Sequence, residues 1–283
     1  MAEEAAPPGQ KRLRQAIRWA GGVLVAASLL FIARHLWLLN WTSLAQLASW
    51  RLFATTIASA ALFLLANFLL ARAWVRLADP GRQVEVAQLV PIYGRSVLLK
   101  YLPGSVFQYL GRHAEAADLG LSNTALARSH GLEIALHLVA SLAVAAACLT
   151  FVGLPVAAAS AAVVVVMACV AIARPLTTAL LFQLVAFTAF ATAAALIGLA
   201  VLPAGTNPAQ FAALFLLAWM IGFLVPLAPG GLGVREAALL ALAGASLPAA
   251  NVLAALLVLR LASVAGDLTY GLGAMRGAWR QTV

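Results

Sequence analysis

Between Arg174 and Arg235 the chain carries no Asp, Glu, Lys or Arg. A stretch that long and that apolar cannot alternate between a buried and a watered face, so it constrains the solvent before it constrains the fold. A soluble domain has about 25% charged residues. This chain of 283 residues has 10%, with 64% apolar residues and a mean hydropathy of +0.99. No soluble core suits that composition, and the solvent is expected to be a bilayer. One membrane helix takes about 20 mostly apolar residues, so the chain has room for several.

Proline and glycine mark where the apolar runs stop. Helices are expected at 17–38, 52–77, 124–151, 154–173, 176–201, 209–227, 232–247 and 249–274. The runs are long, rich in Ala and Leu, and lack strand alternation. The expected fold class is all-α, a polytopic bundle of about eight transmembrane helices with re-entrant or broken elements. Residues 1–15 read as a disordered tail, 16–275 as one transmembrane domain and 276–283 as a short tail. The segment 88–111 is apolar but holds Pro91, Arg95, Lys100 and Pro103. It reads as a re-entrant hairpin or a broken helix lining a protected cavity, where irregular backbone is tolerated at membrane depth.

The net charge of +9 has no soluble domain to form a nucleic-acid patch, so it reads as positive-inside bias with attraction to anionic headgroups. With eight spans and a cytoplasmic N-terminus, every Lys and Arg except Arg34, Arg51, Arg72 and Arg260 falls on the inner side. Both termini are then cytoplasmic. Cys148 and Cys169 lack metal or CxxC spacing and read as small packing residues.

An ionisable residue inside a span is a functional candidate, because it costs several kcal/mol unless paired or wet. Arg260 and Asp267 lie two turns apart on the last helix, too far to pair with each other. Each needs another partner: a structural ion pair with a second helix, or a lipid phosphate or gate. Glu133 shares a helical face with His130 and His137. One helix cannot wrap a tetrahedral ion, so no metal is expected. Glu133 is a counter-ion to Arg260 or another basic residue, or a proton-coupling carboxylate. Arg95, Lys100 and Arg112 surround the broken segment beside Tyr101, Gln108 and Tyr109. They read either as headgroup capture, where Arg forks onto phosphate and Lys acts as a point charge, or as ordinary loop charge.

The second break is Pro229-Gly230-Gly231, with a new helix starting near Gly233. Glu236 in its first turn suits the helix dipole. The alternative is that bare N–H groups at this helix start face an anion, with Arg235 beside them. KYLPGSVF and PLAPGGLGV form a faint internal echo, and paired interruptions of this kind mark the midplane site of transporters. The chain shows no nucleophile elbow, phosphate loop, dinucleotide fingerprint or HExxH motif.

These motifs resemble the transmembrane region of the lysylphosphatidylglycerol synthases and its stand-alone, flippase-like relatives. The likeness rests on Lys100-Tyr101-Leu102-Pro103-Gly104, Gln108, Gly111-Arg112, Glu133, the run Pro229 to Ala238, and Arg260, in order over nearly the whole chain. The resemblance implies a helical domain associated with moving a modified phospholipid between leaflets. The aminoacyl-transferring domain has no counterpart in this sequence, so an enzyme is not expected and no cofactor is implied.

The expectation is a lipid translocase of the bacterial inner membrane, acting on an anionic or modified phospholipid or a lipid-linked intermediate. Arg95, Lys100 and Arg112 would attract the phosphate, and Arg235 and Arg260 would pass it inward. Glu133, Glu236 and Asp267 would be counter-ions. Pro103, Gly104, Pro229, Gly230, Gly231 and Gly233 would form the hinges. A partner enzyme of lipid or glycan synthesis is compatible with this role. The alternatives are a non-transporting accessory or scaffold protein and an integral-membrane transferase.

Overall fold

The structure is a computed structural model that describes residues 49–101, 106–150, 174–225, 231 and 233–281. Among the described residues there are eight α-helices and no strand. They are α1 (Trp50–Ala78), α2 (Val86–Leu98), α3 (Phe107–Asp118), α4 (Asn123–Thr150), α5 (Arg174–Val201), α6 (Pro208–Phe223), α7 (Val234–Ala243) and α8 (Ala249–Gln281). The expected helices 17–38 and 154–173 lie outside the described residues, as do Cys169, Pro103, Gly104, Pro229 and Gly230.

Local chemistry sets the helix ends. Ser49 caps α1 by accepting the Leu52 N–H at 3.2 Å. Asp79 closes the turn into α2 by accepting the N–H groups of Gln83 at 3.0 Å and Val84 at 2.8 Å. Asn207 caps α6 through the Ala209 N–H at 2.9 Å, with Pro208 in the first turn. There the missing proline N–H needs no partner.

Among the described residues, four helices are long and apolar enough to cross a membrane: Trp50–Ala78, Asn123–Thr150, Pro175–Val201 and Ala249–Arg276. Their outward faces carry bare apolar side chains such as Phe53, Leu142, Leu181 and Leu261, which suits lipid rather than water. α6 has 16 residues, about 24 Å at 1.5 Å per residue, short of a hydrocarbon core of about 30 Å. The helix expected at 232–247 is shorter in the structure. It runs Val234–Ala243 and tightens into a single 3-10 turn, Gly244–Ser246.

α5 is the central element. It packs most extensively on α1, and also on α6 and α4. Leu180, Phe187, Ala194 and Ile197 on it are fully buried. α8 lies across α1 and α2. At its crossing with α1, a methyl added to Gly266 would come within 2.8 Å of the Ala60 carbonyl oxygen. The two backbones therefore touch, which sets Asp267 directly against α1.

The segment 88–111 is a broken helix. α2 passes through a 3-10 turn, Leu99–Tyr101, and α3 packs back on α2. Pro91 is the sixth of the 13 residues of α2 and lies inside the helix, where it cannot donate to the carbonyl four residues earlier, at Ala87.

Candidate functional site

The two helices of the broken segment are clasped together on their outer side. Arg95 on α2 donates from Nε to Glu115 Oε2 on α3 at 2.9 Å. That clasp holds the segment so that the next turn of each helix faces inward. From there Lys100, Tyr101, Gln108, Tyr109 and Arg112 reach a common interior.

Arg112 makes the most enclosed ion pair. Its two terminal nitrogens donate to the two oxygens of Glu133 on α4, at 3.1 and 2.6 Å. The guanidinium lies over the rings of Tyr93 (4.4 Å), Trp74 (4.8 Å) and Tyr109 (5.3 Å). This planar fork with stacked rings is a geometry that only Arg supplies. Glu133 is thus the counter-ion of Arg112, not of Arg260. The next turn of α4 continues the cluster. His137 Nδ1 donates to the Glu133 carbonyl at 2.8 Å, because a carbonyl can only accept. His137 then stacks on Phe223 and Trp219. His130 goes elsewhere, against Tyr109 and His113, so the three residues of that face do not converge. No group of three His, Cys, Asp or Glu that could hold a metal occurs among the described residues.

A second electrostatic centre lies where the broken segment, α7 and α8 approach one another. Lys100 Nζ is 2.7 Å from Asp267 Oδ2. Tyr101 donates its hydroxyl to the same oxygen at 2.5 Å, and Asn67 donates to the other at 2.7 Å. Asp267 therefore ties the end of the first break to α8 and α1. Arg260 donates from Nε to Glu236 Oε1 at 2.6 Å. The separate partners expected for Arg260 and Asp267 are these.

Glu236 also explains the second break. Its Oε2 accepts the Gly233 N–H at 2.7 Å, so that N–H is not bare. One carboxylate both caps α7 and neutralises Arg260. The expected anion site on this N–H is filled by the chain's own side chain, three residues on. Gly231 and Gly233 have φ of +72° and +79°, in the left-handed region that favours glycine. A methyl added at Gly231 would also lie 3.3 Å from Gly222 Cα on α6. The chain turns here against a second backbone.

Between the two breaks is a cavity of about 360 Å³, within the usual range of about 300–1,000 Å³ for ligand pockets. Its wall includes Lys100, Tyr101 and Gln108 from the first break, and Gly231 and Arg235 from the second. Arg112, Arg260, Glu133 and Asp267 complete its charged lining. Glu236 stands behind Arg260. Arg95 is not part of the wall and is spent on the outer clasp. Sequence reasoning missed Asn67, Trp219 and Phe223, which also line the cavity. Asn67 had a readable signal, as an amide inside a long apolar helix. The two aromatics had none, since a Trp or Phe in such a helix ordinarily faces lipid or packs.

Among the described residues, the two centres hold four cations (Lys100, Arg112, Arg235, Arg260) and three carboxylates (Glu133, Glu236, Asp267). The sum is one positive charge in a site walled by apolar helices. Such a site attracts an anion and can hold its polar part away from lipid. Compared with known proteins, the chain matches no protein-family model and no curated protein.

Proposed function

We propose that this chain is a lipid translocase of the bacterial inner membrane, carrying an anionic headgroup through the cavity while the acyl chains remain in lipid. The observation that carries the reading is the charge-rich cavity between two helix breaks, in a chain whose outward faces are apolar. A headgroup needs a polar path across a hydrocarbon core, and irregular backbone lining a cavity is how membrane proteins make one. Lys100, Arg235 and Arg260 offer the phosphate its donors. The carboxylates keep the empty cavity close to neutral, which avoids the large cost of unpaired buried charge. The likeness of the two break motifs to the transmembrane region of the lysylphosphatidylglycerol synthases points the same way. In this reading the chain spans the membrane about eight times, with both termini in the cytoplasm.

The test is leaflet exchange of labelled phospholipid in vesicles containing the purified chain. Exchange above protein-free vesicles, lost in Arg260→Gln while insertion persists, is the expected result. No exchange with any headgroup would favour the accessory or scaffold role, and chemical turnover of the lipid would favour a transferase.

A further inference from the structure

The four cations at the cavity differ in what they have left to give. Arg112 has both terminal nitrogens on Glu133 and three rings around its guanidinium. Its side chain is 3% exposed. Only its Nε lacks a hydrogen-bond partner, and both terminal nitrogens, which would fork onto a phosphate, are already committed to Glu133. Lys100 is 29% exposed although its partner Asp267 is 3% exposed, so its ammonium can turn to a second anion while keeping its place. Arg260 is 19% exposed, and its Nη2 is buried without a hydrogen-bond partner. A buried donor left unmade costs about 1–3 kcal/mol, which an arriving acceptor oxygen would recover. Arg235 lies on the same wall, next in sequence to the Glu236 that holds Arg260.

We infer that Lys100, Arg235 and Arg260 form a headgroup locus matched to a single negative charge, the charge of a phosphodiester, with Arg112 excluded from it. This rests on the translocase reading and names its substrate class. The Arg112–Glu133 pair is neutral by itself. Among the described residues, the excess positive charge therefore belongs to the other centre, where three cations face two carboxylates, Asp267 and Glu236. One phosphodiester brings that centre to neutrality. A phosphomonoester, with a second pKa of about 6, is a dianion at alkaline pH and overshoots by one charge. A headgroup esterified with lysine adds two ammonium groups to its phosphate and leaves the centre more positive than when empty. On binding, the phosphate oxygens accept from Arg260 Nη2 and from Lys100. Asp267 keeps its hydrogen bonds from Asn67 and Tyr101, so it stays solvated when Lys100 turns away.

The experiment measures retention of three probe lipids by the purified full chain in nanodiscs: phosphatidylglycerol, phosphatidate at alkaline pH, and lysylphosphatidylglycerol. Phosphatidylglycerol should be preferred over each of the others by roughly tenfold, as expected for one uncompensated charge at partial burial. The preference should move with the charge sum. Asp267→Asn raises the sum by one and should shift the ranking towards phosphatidate. Arg235→Gln lowers it to zero and should weaken phosphatidylglycerol most. Equal retention of all three lipids by the unaltered chain overturns the inference, and so does a preference for the lysine ester. A ranking that stays the same in both folded variants also overturns it. Leaflet exchange measured alongside separates the two claims. Exchange without charge preference removes only the locus, and the expected preference without exchange removes only translocation.

Discussion

Lys100, in the 3-10 turn that ends α2, and Arg112, on α3, flank the same break, yet they sit in opposite environments. Arg112 is locked by a two-pronged pair with Glu133 and a wall of Trp74, Tyr93 and Tyr109. Lys100 holds a deeply buried carboxylate from a partly exposed position. The first centre balances its charge; the second carries the surplus. Buried pairs of the first kind seldom add net stability compared with apolar residues of equal volume, but breaking one by removing a single partner is severe. Pairs of the second kind can exchange partners at small cost. A cavity that must stay in shape while its contents change needs both.

The sharpest way to break the comparison is Glu133→Gln. It strands the Arg112 guanidinium in an apolar enclosure and should lower stability by about 3–5 kcal/mol. Thermal unfolding in detergent reads this, and a loss under about 1 kcal/mol would show that the centre is wetter than described. Replacing both partners together, Arg112→Met with Glu133→Leu, should recover most of that loss. Gly266→Ala comes next. Its methyl would meet the α1 backbone at Ala60 and Leu64, and forcing the helices apart should cost about 1–3 kcal/mol. Because Asp267 is the next residue, exchange activity should fall with it, read in the same vesicle assay.

Arg260→Gln should separate function from stability. Glu236 keeps its bond to the Gly233 N–H, so the stability loss should be about 1–2 kcal/mol. Lipid exchange should fall by roughly tenfold or more, the equivalent of about 1.4 kcal/mol in the barrier. An unfolded variant would place Arg260 with the locked centre instead. The smallest effect belongs to Arg95→Gln. Its clasp to Glu115 has side chains 26% and 39% exposed, and such pairs contribute about 0–1 kcal/mol. Exchange should be nearly unchanged, and a large loss would return Arg95 to the headgroup path.

Much of the fold was legible because helix length and interruption are local properties. Leu, Ala and Phe in long runs, punctuated by Pro and Gly, placed α1, α4 and α5 within two residues of their observed ends, whereas α8 starts at 249 as expected but continues seven residues past 274, to Gln281, through most of the expected tail. The short α7 was overread by several residues, since Gly244 adopts φ +53° in a stretch that is apolar enough to continue. The identity of the charged residues was equally plain, because few charges occur in such a chain. Their pairing was not. Glu133 reads equally well against Arg260 or any other cation when only chain order is known. Arg95 and Arg112 look alike in sequence, although one faces outward and the other is enclosed.

The sequence by itself determined the solvent, the all-helical class, the positions of both breaks and the small set of charges that a bilayer would force into partnership. A low-dielectric interior makes pairing compulsory, and that compulsion can be read from composition. Which carboxylate meets which cation was decided only by the tertiary structure. It depends on where helix backbones cross, as at Gly266 on α1 and at Gly231 beside Gly222. Those crossings bring residues far apart in the chain within hydrogen-bond reach, and no periodicity along one helix encodes them.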